Sequence, residues 1–201
     1  MVEANEETVG TRMNTHCDNI RSHYSGKWAN IPVVKTWDKG PTTDLPFGFS
    51  VLEFAPTQAR DMWTYATCCM SQPSDSELLE LHLFSPVQCE SLVELLTVVA
   101  HYHRTGQPLA LGHTVNFGRP WINGSICDYG LISLPYLDGP LIEEFRLPES
   151  EKIVRCLWLV PITRAERDYK KAHGLAALEH KLEQSNFNYL DPFRPSVVSS
   201  V

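Results

Sequence analysis

The sequence has no run of about 18 apolar residues that could cross a bilayer as a helix. It also has no basic excess: 17 Lys and Arg stand against 24 Asp and Glu, a net charge of −7. Binding nucleic acid by neutralising phosphates needs a concentrated basic face, so no nucleic-acid partner is expected. There is no G-x-S-x-G, no Gly-rich loop closed by Lys and Ser or Thr, and no H-E-x-x-H. A nucleophile elbow, a phosphate cradle and a zinc-protease helix are therefore not signalled. No C-x-x-C pair occurs among the six cysteines, and the interior has neither an internal repeat nor a low-complexity linker. The opening MVEANEETVG is polar and acidic, where a secretory signal is basic and then apolar. These features predict a cytoplasmic protein away from membranes. In a reducing compartment Cys17, Cys68, Cys69, Cys89, Cys127 and Cys156 are expected as free thiols. On a strand Cys68 and Cys69 would face opposite sides, which argues against a vicinal disulfide or a shared metal.

What remains is a chain of 201 residues, 43% hydrophobic, enough to bury one core as one domain. Residues 1–25 are expected as a partly disordered N-terminal segment, 26–191 as the folded domain and 192–201 as a loose tail rich in proline and serine. IPVVKTW (31–37), FSVLEFA (49–55), MWTYATCCM (62–70) and ELLELHLF (77–84) are short, β-branched, aromatic or leucine-rich, and bounded by turn residues, which predicts strands. Leu79, Leu81 and Leu83 alternate with Glu80 and His82, the period of a half-buried strand. The period then changes. Ser85, Pro86 and Gln88 read as a capping box opening a helix, on which Leu92, Leu95, Leu96, Val99 and Tyr102 form one stripe before Gly106 and Pro108 stop it. ALGHTVNF, YGLISLPY and KIVRCLWLVPIT supply further strands. Thr163 and Glu166 make a second capping box for a helix interrupted by Gly174, which permits a bend, a close approach or a split. The predicted class is α+β: a single domain with a mixed, largely antiparallel sheet packed against helices.

Few side chains suggest chemistry. His101, His103 and His113 lie close in sequence, but on a helix residues 101 and 103 project far apart around the axis, so no metal site is assigned. The neighbouring Glu143 and Glu144 read as a solvated pair. Trp63 and Trp158 fall inside strand patterns and are expected in the core, whereas Trp121, between proline and turn residues, is expected partly exposed and available to a partner. No catalytic residue and no cofactor are assigned.

Several of these blocks together resemble the suppressor-of-fused-like domain: WTYATCCMS (63–71), ELHLF (80–84), the helix ending AHYHRTG, GHTVNF (112–117) and LWLVPITRAERDYKKAHGLAALEHKL (157–182). The similarity covers roughly residues 28–198, and the closing LDPFRPSVV is similar to the end of bacterial members. The resemblance implies an α+β domain with a non-catalytic binding role. Eukaryotic members use it, followed by a second domain, to hold a peptide motif of zinc-finger transcription factors; free-standing bacterial members resemble immunity proteins that neutralise a toxin domain. The length and acidic balance fit the free-standing kind. In the eukaryotic relatives an aromatic at the helix end and an acid after the strand glycine line the peptide cleft. Here Tyr102 keeps the aromatic, while His113 replaces the acid, so the relatives' peptide preference does not transfer. Tyr102, His113 and Trp121 are the expected partner-binding residues. A metal- or Cys/His-dependent enzyme using His101, His103 or His113 with Cys127, and a structural subunit of a complex, stand as alternatives.

Overall fold

The computed structural model describes residues 15–40, 42–148 and 150–199. Of the N-terminal segment expected to be partly disordered over residues 1–25, residues 1–14 lie outside them. The chain runs α1 (Thr15–Trp28), β1 (Val33–Lys35), β2 (Ser50–Phe54), β3 (Trp63–Cys68), β4 (Leu78–Ser85), α2 (Ser91–Thr105), β5 (Thr114–Asn116), β6 (Tyr129–Ser133), α3 (Pro140–Glu143), β7 (Glu144–Arg146), β8 (Ile153–Ile162), α4 (Arg164–His173) and α5 (Leu175–Gln184). One eight-stranded sheet has the order β1-β2-β3-β4-β8-β6-β5, with β7 added alongside the start of β8. The pairings are antiparallel except β4 with β8, which is parallel. This is the predicted α+β class. β8 sits centrally, and its near-continuous apolar sequence is what a strand covered on both faces requires.

The sheet has two covered faces. Leu79, Leu81 and Leu83 of β4 pack with Leu157 and Leu159 of β8 against Leu92, Leu95, Leu96 and Val99 of α2. The opposite face is shared by two groups. α1 brings Ile20, Tyr24 and Trp28 onto Leu52, Phe54 and Ala66, while α5 brings Leu178 and Leu182 onto Leu131, Trp158 and Val160. All eight residues of β4 are therefore buried, and Glu80 and His82 are covered rather than solvated. Alternation gave the correct faces but not the exposure, because α1 lies over the polar one. The expected domain start at 26 cuts through α1. Cys17, Ile20, Tyr24 and Trp28 recur at three- and four-residue steps, which is the signal that could have found it.

Other local expectations divide. Thr163 caps α4 and Glu166 answers it, forming the full capping box, and Gly174 at φ +90° divides α4 from α5. Ser85 does not open α2. It ends β4 opposite Trp63 and its hydroxyl donates to the Val87 carbonyl, so the helix starts six residues later behind Glu90, with no side-chain cap. Residues 192–199 are not a loose tail: the buried Arg194 guanidinium donates to both Glu166 oxygens and to the Pro161 carbonyl, and the Val197 N–H reaches the same carboxylate. Burial alone would push the Glu166 carboxyl up; the Arg194 hydrogen bonds and charge more than offset it and hold it below its ordinary value.

The free-thiol expectation fails at one pair. Cys17 and Cys69 form a disulfide, with Cα atoms 5.3 Å apart. The strand argument does not reach Cys69, because β3 ends at Cys68 and Cys69 turns into the left-handed region at φ +66°, beside α1. Cys68, Cys89, Cys127 and Cys156 are free. The expectation of free thiols rested on a reducing compartment, in which a disulfide such as this one is uncommon. Among the described residues no helix is long and apolar enough to cross a membrane.

Candidate functional site: a groove along the open sheet edge

β5 is the last strand of the sheet, so among the described residues one side of it has no neighbouring strand. The Phe117 N–H donates to the Asp128 carbonyl and the Ile132 N–H to the His113 carbonyl. With the register Val115 to Gly130 between them, antiparallel alternation turns the Val115 backbone toward β6 and the Thr114 and Asn116 backbone groups toward the open edge. Such an edge is a ready template for an added strand. Gly130 lets β5 and β6 sit closely, since a Cβ there would meet Phe117 and Leu159 at 2.6 Å.

Helices flank this edge on both faces. Val98, Val99 and Tyr102 of α2 form one wall, Arg167 and Lys171 of α4 the other, and Thr114, Val115 and Asn116 lie between them in a cleft of about 500 Å³. Arg119 also lines it and donates to Glu94 at 2.9 Å. Arg167 lies 4.5 Å from the Tyr129 ring centre, donates to the Tyr129 hydroxyl and sits 3.1 Å from Asp168. Lys171 is exposed and makes no ion pair among the described residues. Three cations against Glu94 leave the groove positive on a chain that is acidic overall.

The sequence-predicted residues separate here. Tyr102, 43% exposed, lies in the groove wall. His113 is exposed just before β5 but does not line the groove. Trp121 is 1% exposed and its indole N–H donates to Ser125 at 3.0 Å, which corrects the expectation of a partner-facing tryptophan: the turn folds it into the α2 core. Of the tryptophans expected in the core, Trp158 is buried and Trp63 half-buried. Arg167 and Lys171 were missed. Their i, i+4 spacing behind the Thr163 cap puts them on one helix face, but nothing local says that face overlooks a sheet edge.

The alternative chemistry finds little support in the geometry. His101 faces Asp44 at 3.4 Å, and His103 is buried with Nδ1 accepting from the Leu109 N–H at 2.9 Å. The three histidines thus have separate surroundings. Cys17, Cys68 and Cys69 have sulfurs within 4.8 Å of one another, a metal-like grouping among the described residues, yet two of the three are joined in the disulfide and cannot ligate as thiolates. Burial pushes the Cys127 thiol up, against the thiolate a nucleophile needs. Glu143 and Glu144 pair with Arg155 at 2.8 and 3.4 Å, Glu143 half-buried and Glu144 exposed to solvent as expected.

Comparison with known proteins agrees with this architecture. The sequence model of the suppressor of fused protein (SUFU) family matches residues 48–195. Among curated proteins none matches. The crystal structure of a SUFU homolog from Neisseria gonorrhoeae is similar at 30% identity and a TM-score of 0.80, over 92% of this chain and 98% of that one. The Sufu–Fu complex is similar at 13% identity and a TM-score of 0.66, over 90% of this chain and 92% of that one. Drosophila Suppressor of Fused is similar at 14% identity and a TM-score of 0.58, over 89% of this chain and 50% of that one, so the chain spans half of that protein. The last two likenesses establish the fold alone. With the family's sequence pattern across most of its length and the fold shared along nearly all of the Neisseria homolog, the chain belongs to the suppressor of fused family.

Proposed function

We propose that this protein is a non-catalytic binding domain that takes an extended segment of a partner protein as an added strand on β5, between α2 and α4. The observation that carries this reading is the open edge of β5, lying between the two walls of a cleft about 500 Å³ in volume. Strand addition uses main-chain hydrogen bonds for affinity and flanking side chains for selection. Thr114 and Asn116 offer the former; Tyr102, Arg167 and Lys171 offer the latter, and their charge favours a segment with an acidic residue. The Sufu–Fu complex shows that a relative of this fold engages a protein. The likeness to the Neisseria homolog along 98% of that chain supports the finer reading, an immunity-type protein whose partner is a toxin domain.

The test is co-expression with the products of neighbouring genes and isolation of the complex by gel filtration. Thr114→Pro removes an outward N–H without touching the β5–β6 ladder, and Lys171→Glu reverses the groove charge. Both are expected to weaken the complex at least tenfold while leaving the fold intact. A complex indifferent to both substitutions, or no complex with any neighbour, would overturn the reading.

A further inference from the structure

A second cavity, of about 640 Å³, lies on the sheet face that carries α5 and shares no lining residue with the β5 groove. Its floor is apolar: Leu131, Val160 and Leu182. Trp158 and Tyr189 form an aromatic wall, their rings edge to face at 5.5 Å. Two carboxylates line it, Glu179 and Glu183, and no lysine or arginine does. Glu179 accepts from the Ser133 hydroxyl at 2.7 Å and also interacts with the Tyr136 hydroxyl, which holds its carboxylate at the cavity wall. Negative potential reaches the mouth: the Tyr136 hydroxyl is pushed up first by burial and then by Glu179, Glu143 and Glu183.

One polar group points to an occupant. The Trp158 indole N–H is buried and has no hydrogen-bond partner among the described residues, though the side chain lines the cavity. Leaving such a donor unpaired is unfavourable, so a ligand that brings an acceptor gains there. The cavity therefore combines an apolar floor, aromatic faces, carboxylates without counter-cations and a waiting donor. A guanidinium on an aliphatic stem fits all four, since it stacks on aromatic rings, pairs with carboxylates and travels with a backbone carbonyl as acceptor.

We propose that this cavity is a second docking site, receiving an arginine side chain from a partner protein, with Trp158, Glu179 and Glu183 as its recognition residues. It is independent of strand addition at β5 and carries the opposite charge preference.

The experiment uses the whole protein, labelled with ¹⁵N, and follows the indole N–H resonances of its five tryptophans. Trp158→Phe identifies the Trp158 signal. An acetylated, amidated Ala-Arg-Ala peptide at millimolar concentration is the probe, and the same peptide with citrulline, isosteric but uncharged, is the control. The Trp158 resonance is expected to move with the arginine peptide, to move at least fivefold less with citrulline, and to lose most of its response in Glu179→Gln and Glu183→Gln. Glu183 is exposed, so its substitution leaves the fold intact even where Glu179→Gln does not. No movement of the Trp158 signal, equal movement with citrulline, or full response in Glu183→Gln overturns the proposal.

Discussion

Glu80 and His82 sit two residues apart on one face of β4, both fully buried, and burial drives their protonation in opposite directions. Glu80 accepts from the Thr67 and Ser71 hydroxyls and from the Met70 and Ser71 N–H groups, yet burial outweighs these and pushes its carboxyl up from 4.5 to about 7. Among the described residues His82 has no hydrogen-bond partner at either ring nitrogen, and burial followed by the Arg60 charge pushes it down from 6.5 to about 3. The signs then follow. Between pH 4.5 and 7 the folded state keeps a Glu80 proton that the unfolded chain releases, so this contribution is full below 4.5 and lost as pH rises through 7. Between pH 6.5 and 3 the unfolded chain gains a His82 proton that the folded state refuses, so that contribution is lost as pH falls. The urea midpoint of the native protein should change little from pH 4.5 to 6.5, where the two slopes oppose. Glu80→Gln should make stability rise with pH across that window, and His82→Phe should make it fall, each at up to about 1.4 kcal/mol per pH unit. Parallel profiles for all three proteins would refute the assignment. The alternation of β4 made the pair visible in the sequence; the helix that covers it lies more than fifty residues earlier in the chain, so the burial was not visible.

Elements were most legible where the sequence carried its own punctuation. Thr163 and Glu166 mark the start of α4 because each satisfies the other's backbone donor, a purely local event. Ser85, Pro86 and Gln88 offered the same wording, but there the strand claims Ser85 through its pairing with Trp63, and tertiary context overrides the cap. Gly174 left open whether one helix bends or two helices meet, and the structure decides for two. At φ +90°, ψ 170° only glycine is comfortable, so Gly174→Ala should lower stability by about 1–3 kcal/mol. Had the helix been continuous, the same change would have raised it by up to about 1 kcal/mol. Thermal denaturation read against wild type distinguishes the two by sign alone. The missing α1 has the opposite history: its apolar residues recur correctly, but a run of Asp, Arg, Ser, Gly and Lys among them dilutes the stripe.

At the scale of the whole molecule, sequence order and spatial order part company. The fold class follows from the succession of strands and helices, and the family resemblance from five separated blocks. Neither reveals that β8 is inserted between β4 and β6, or that β5 is therefore left at the edge beside α4. The groove is a product of that insertion: Tyr102 was within reach of the sequence because it lies beside β5 in the chain, while Lys171 was not. The same insertion governs how the protein can be made. A ribosome delivers β4 and β6 long before β8, so the nascent chain holds two hydrophobic strands with a gap between them until residues 153–162 emerge. A protein cut after residue 150 should show no cooperative unfolding transition and should bind a hydrophobic dye, and a cooperative transition in it would refute this. Synthesis of this domain thus supplies its central strand late, and until then the growing chain exposes apolar strand faces that β8 will cover.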